Sequence, residues 1–301
     1  MEIELRPDQG DRAKVVIDLV QSLLSSIFTS SELSLIDKFI ISETDKYKSD
    51  VKSVNPSATV SDNEIAVGVA KTIFIPGKMK STIVIVNHQI APLIDGYYSG
   101  ATFENWTIEQ LSALYTSIHE IGHAIDHAKR TCEPTPKLLP KLLPKFKFEQ
   151  MTDYYYEVIT SEIGANISIS DKLPLKFKRY GRQSIKEHAS DTNEELQSHL
   201  EYSDYTNKDA YNYNLIGYVS IIILKLQEYF IHRLEKEEKL LNYFGIHISN
   251  RIENWIKKFE IGYPNWGNSK SEFKNILISI LNRFGFELII GNEIDDLKKN
   301  A

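Results

Sequence analysis

The order His119, Glu120, Ile121, Gly122, His123 constrains this 301-residue chain more than any other feature. It lies in a stretch, Thr107 to Lys129, whose apolar residues recur at helical spacing, and Thr107 with Gln110 matches a capping box that opens a helix. Residues four apart on a helix differ in direction by only about 40 degrees, so His119 and His123 look the same way and can ligate one ion. Imidazole nitrogens at that spacing suit zinc. Glu120, beside the first ligand, can reach a zinc-bound water and take its proton as the water attacks a carbonyl. A catalytic zinc then needs a third protein ligand from another element and an open position for water.

Glu162 is the expected third ligand. It sits on the next helical stretch, about Gln150 to Ile169, within Ser161-Glu162-Ile163-Gly164-Ala165-Asn166, a segment that is otherwise largely apolar. A carboxylate on a buried face wants a cation. Asn166, one turn on, shares that face and can hold the outer nitrogen of a ligating histidine. Glu157 competes for the role, but five residues rotate it about 140 degrees from Glu162, so the two cannot both point at one ion. Of Tyr154, Tyr155 and Tyr156, Tyr155 lies seven residues before Glu162 and within about 20 degrees of its direction. Its hydroxyl is placed to stabilise an oxyanion, with aromatic packing as the plainer alternative. His127 continues the face of His119 and His123 and reads as a support to the ligands or a substrate contact, or else as a histidine in a polar pocket. The isolated His88, His188, His199, His232 and His247 read as structural or surface residues.

Composition narrows the partners. A formal charge of −6 lacks the basic excess of a phosphate-backbone binder, so nucleic acid is not an expected partner. Cys132 is the lone thiol, which rules out a fold stapled by internal disulfides. Asp8, Asp11 and Arg12 precede any apolar run, unlike a cleaved secretory signal, and the expected location is cytoplasmic, or outside the cell by export without such a signal. The longest apolar stretch, Leu215 to Leu226, contains Ser220 and Lys225 and falls short of the roughly 20 residues that span a bilayer. It reads as a buried helix, and no membrane span is expected.

Along the chain, Val15 to Phe28 and Leu33 to Ile41 show helical spacing, with Ser31 as N-cap of the second. Two β-branched runs, Ile65 to Ile75 and Thr82 to Val86, flank Pro76-Gly77 and read as neighbouring strands. Gly96 to Gly100 reads as a loop. Three prolines spaced four apart in Pro136 to Lys145 forbid a regular helix there. Further helices are expected near Ala210 to Phe244, Asn250 to Phe259 and Ser271 to Phe284, with a short strand at Phe286 to Ile290. The class is α+β: a small sheet with active-site helices and a mostly helical C-terminal part. With 42% hydrophobic residues a sizeable core is available, and 1–301 reads as one compact unit, divisible at most into 1–130, with sheet and active-site helix, and 131–301, with the third ligand.

His119, Glu120, Ile121, Gly122 and His123, followed by Glu162, Ala165 and Asn166, resemble the gluzincin group of zinc metallopeptidases. The added His127 and the Glu, Ala, Asn pattern are similar to ImmA/IrrE-type peptidases, and His119 to Asp126 with Tyr155 resemble lethal-factor-type peptidases. The metzincin pattern is disfavoured, because Lys129 stands where its third histidine belongs. The resemblance covers about residues 119 to 166. It implies a zincin-like fold, Zn2+ on His119, His123 and Glu162, and hydrolysis of a protein or peptide substrate. It also implies that Thr82 to Val86 is the sheet edge along the cleft, where an extended substrate can add as a strand; its unbroken apolar run equally suits an interior strand. Lys129, Arg130, Lys137, Lys141, Lys145 and Lys147 make the connection between the ligand helices basic, as a solvated face, a lid or a contact for acidic substrate. The expected activity is that of a zinc endopeptidase; a zinc-containing binding or regulatory module without turnover is the alternative, and an accidental motif in a helical interaction protein the third.

Overall fold

The computed structural model describes residues 1–7, 10–58, 60, 62–63, 66–67, 69–130, 145–174, 176–177, 208–232, 246–264, 269–292 and 295–299. The chain divides into two units, one of Met1–Glu133 with Gly164–Lys178, the other of Pro134–Ile163 with Arg179–Ala301. The class is α+β, as expected.

The first unit is built on a four-stranded sheet. Strands β1 (Glu2–Arg6), β2 (Ile36–Ser42) and β6 (Lys80–Val86) run parallel, and β5 (Ala70–Ile75) closes the row antiparallel to β6, in the order β1-β2-β6-β5. Two short strands, β3 (Asp62–Asn63) and β4 (Ala66–Val67), pair with each other. Side chains alternate between the two faces of a strand. Phe39, Ile41, Ile83 and Ile85 therefore share one face, which is covered by helices α1 (Asp11–Ile27), α4 (Asn87–Tyr98) and α5 (Ile108–Arg130). Ile40, Ile73, Val84 and Val86 meet Tyr47 and Val51 of α3 (Tyr47–Val54) on the other.

Three local expectations change. Leu33 to Ile41 is not a helix: only α2 (Ser30–Leu33) is helical, and Ile36–Ser42 is strand β2. A central strand covered on both faces is apolar at consecutive positions, here Phe39, Ile40 and Ile41, and such a run satisfies a helical template as easily as an extended one. The cap of α2 is Thr29 rather than Ser31, in a reciprocal capping box with Glu32. Gly96 to Tyr98 belong to α4 and only Ser99 and Gly100 form the turn. Gly96 is there because α4 packs on Trp106, where a Cβ would come within 2.8 Å of the indole. The Pro76-Gly77 hairpin forms as read, joining β5 to β6. Of the two positions open for Thr82 to Val86, the strand takes the interior one, between β2 and β5; the edge beside it is Ala70–Ile75.

The second unit is helical, with a small hairpin. It holds the start of α6 (Phe148–Ile169), then α7 (Lys208–Ile231), α8 (Ile246–Gly262), α9 (Lys270–Arg283) and strands β7 (Phe286–Ile289) and β8 (Asp296–Lys299). Trp255 of α8 stacks on Phe273 of α9 at 5.4 Å, and its indole N–H donates to the Ser269 carbonyl. Asp295 caps α6 by accepting from the Phe148 backbone N–H at 2.9 Å. By length and composition Tyr211–Ile231 could cross a membrane, yet just over half of its apolar window, 56%, is buried inside the protein. Leu215, Ile216, Val219, Ile223 and Leu226 are fully buried together with Ser220 and Gln227, the pattern of a core helix. Residues 131–144, 178–207 and 233–245 lie outside the described residues, and with them most of the Pro136 to Lys145 repeat, Lys137, Lys141 and the end of the expected Ala210 to Phe244 helix.

Candidate metal centre

Helix α5 is set by its two ends and one face. The Thr107 backbone N–H donates to Gln110 Oε1 at 2.8 Å and the Gln110 N–H to Thr107 Oγ1 at 3.2 Å, which starts the helix where the sequence indicates. Leu111, Leu114, Ile118, Ile121 and Ile125 bury its apolar face in the first unit's core. His119 and Glu120 keep partial exposure on the turn between.

The C-terminal part of α6, from Gly164, belongs to the first unit and lies hard against α5. A Cβ at Gly122 would come within 2.6 Å of the Ala165 carbonyl oxygen, and one at Gly164 would collide with the buried Asp126 carboxylate. Both glycines are needed for this approach of backbones. With residues 164–166 pinned on α5, Glu162 stands half a turn earlier on the same continuous helix. Ligand atoms of His119, His123 and Glu162 then all lie within 4.8 Å of one another. Two imidazoles and a carboxylate from two helices form a group that could hold a metal ion. Glu157 does not join this group among the described residues.

The histidines of this group are held by neighbouring side chains. His119 Nδ1 lies 3.1 Å from Oδ1 of the fully buried Asn166, and a carbonyl oxygen only accepts, so the ring proton sits on Nδ1 and Nε2 keeps its lone pair. The same Oδ1 accepts from the Tyr115 hydroxyl at 3.1 Å. The His119 and His123 rings meet edge to face at 4.7 Å. His127 is buried, its ring 5.8 Å from that of His123 and edge-on to Phe74 at 5.9 Å, so it packs between these two rings.

Glu120 is tied to the sheet edge. Thr72 of β5 places its Oγ1 2.7 Å from both the Glu120 carbonyl and its Oε2, so one hydroxyl proton serves two acceptors of the same residue. The Tyr155 hydroxyl lies against Gly217 of α7, where a Cβ would come within 2.8 Å of it. Burial, and then the neighbouring Tyr154, push the Tyr155 phenol well above its ordinary range, so it stays a hydrogen-bond donor at neutral pH. Of the basic residues around the connection, Arg130 binds Asp126 one turn back and Lys147 reaches Asp295 at 3.3 Å. Those two cations serve the fold.

Tyr115 and Thr72 were not among the residues singled out from sequence. Tyr115 precedes His119 by one helical turn, a spacing that was available as a signal. Comparison with family models, with curated proteins and with solved structures gave no match.

Proposed function

We propose that this chain is a zinc-dependent endopeptidase of zincin-like architecture, acting on peptide bonds of a protein or peptide substrate. The observation that carries this reading is the convergence of His119, His123 and Glu162 ligand atoms within 4.8 Å, with Glu120 next to His119 in the chain. Zinc held there would supply Lewis acidity to a water and to the substrate carbonyl. With Nδ1 held by Asn166, His119 would offer Nε2 to the metal. Glu120 accepts the proton of the attacking water and returns it to the leaving amine. Thr72 holds one carboxylate oxygen of Glu120, leaving the other for that water. The antiparallel edge strand Ala70–Ile75 carries Thr72, so an extended peptide pairing with this edge would run past Glu120. That geometry favours a polypeptide substrate over a compact small molecule.

The test is metal content together with the new protein termini created in a native lysate by wild type and by Glu120→Gln. We expect one bound zinc in both and new termini with wild type alone. Equal cleavage by the variant would sink the mechanism, and zinc without cleavage by either would make the chain a non-hydrolytic zinc module.

A further inference from the structure

Asn166 can present either of two faces to His119, and only one of them makes a ligand. With Oδ1 toward the ring, Nδ1 carries the proton and Nε2 keeps the lone pair that a metal needs. With the amide turned over, its N–H would donate to Nδ1, and the ring proton would move to Nε2, where it blocks coordination. The carboxamide is nearly symmetric in shape, so packing alone does not choose between the two.

One neighbour that distinguishes the two orientations is Tyr115. Its hydroxyl is 3.1 Å from the same Oδ1 that faces His119 Nδ1. A phenol is a better donor than acceptor, so it prefers an oxygen at that position. Its ring is fixed for the task. It stacks on Phe177 at 4.6 Å with an interplanar angle of 19°, and it leans on the His119 ring at 5.4 Å. Tyr115 thus touches the ligand ring directly and touches its outer nitrogen through Asn166.

We infer that Tyr115 is a positioning residue that favours the Oδ1-inward orientation of the Asn166 amide, and with it the metal-binding tautomer of His119. The inference rests on reading the site as a zinc centre. It is about how that site is made ready before any substrate arrives, and its readout is affinity for zinc itself.

The experiment measures zinc affinity by competition with a fluorescent chelator for wild type, Tyr115→Phe, Asn166→Asp and the double variant. Phenylalanine keeps the ring stack and removes only the hydroxyl. We expect Tyr115→Phe to weaken zinc binding by about tenfold, at the lower end of the effect of outer-shell partners. Asn166→Asp has oxygens on both sides and no orientation to select. In that background the same Tyr115→Phe change should weaken binding by less than about twofold, a non-additivity that double-mutant cycles detect. A loss through general loosening of the helix would be the same in both backgrounds, and that result overturns the inference. Unchanged affinity in Tyr115→Phe also overturns it, while leaving the zinc reading intact. Failure of wild type to bind zinc overturns the zinc reading itself, so the two failures are distinguishable.

Discussion

Thr72 is the residue through which the sheet reaches Glu120. Its hydroxyl bonds Glu120, the proposed general base, 48 positions away at 2.7 Å, which holds the carboxylate in place. Bonds to charged groups contribute about 1.5–3 kcal/mol, and if that holding is realised in the transition state its loss slows turnover by about tenfold or more. Thr72→Val, equal in size but without the hydroxyl, should therefore cleave about tenfold more slowly at unchanged zinc content, and Thr72→Ser should restore the rate. The comparison is of initial rates of new-terminus formation on one substrate taken from the lysate; equal rates for the valine and serine variants would remove Thr72 from the mechanism. Sequence spacing could not have found this residue. A helix tells its own neighbours from period 3.6, so His119, Glu120, His123, and the pair Glu162 and Asn166, are legible. Which strand residue stands against that helix depends on register and edge position, which no local period encodes.

At the scale of elements, what could be read and what could not follow the same division. Helix α5 begins at a capping box visible as Thr107 and Gln110, and the β5–β6 hairpin turns at Pro76-Gly77; both signals are local. Strand β2 carries its apolar residues consecutively because α3 covers one face and α1, α4 and α5 the other, a fact about tertiary layers that its sequence shares with a buried helix. Strand β1, paired along its whole length with β2, has only Ile3 and Leu5 as apolar positions, too short an alternation to stand out in the sequence. The α5–α6 approach was likewise hidden, though it decides where Glu162 falls. Gly122→Ala places a Cβ 2.6 Å from a backbone oxygen that cannot swing aside. A helix-propensity gain of roughly 1 kcal/mol will not cover the forced separation, and a net loss of about 1–3 kcal/mol is expected. Urea unfolding measures that loss. Zinc affinity should fall with it, because parting the helices draws Glu162 away from His119 and His123; a variant as stable and as tight as wild type would show the contact to be slack.

For the whole molecule, a metal held by residues from two helices links binding to folding. The unfolded chain has no such arrangement, so zinc that binds the folded state stabilises it by RT ln(1 + [Zn]/Kd), about 4 kcal/mol when free zinc is a thousandfold above Kd. Chelation should lower the thermal midpoint of the wild type, and restoring zinc should return it. The same measurement decides the third ligand at the level of the intact protein. Glu162→Ala removes the carboxylate that converges with the histidines and should lose most of the zinc-dependent shift. Glu157→Ala, on the same helix but outside that group, should keep it. Both variants delete one partly buried glutamate from α6, so their metal-free midpoints control for the helix itself. A shift kept by Glu162→Ala and lost by Glu157→Ala would transfer the ligand role to Glu157. A wild type indifferent to zinc would remove the metal altogether and leave two helices joined by close packing alone.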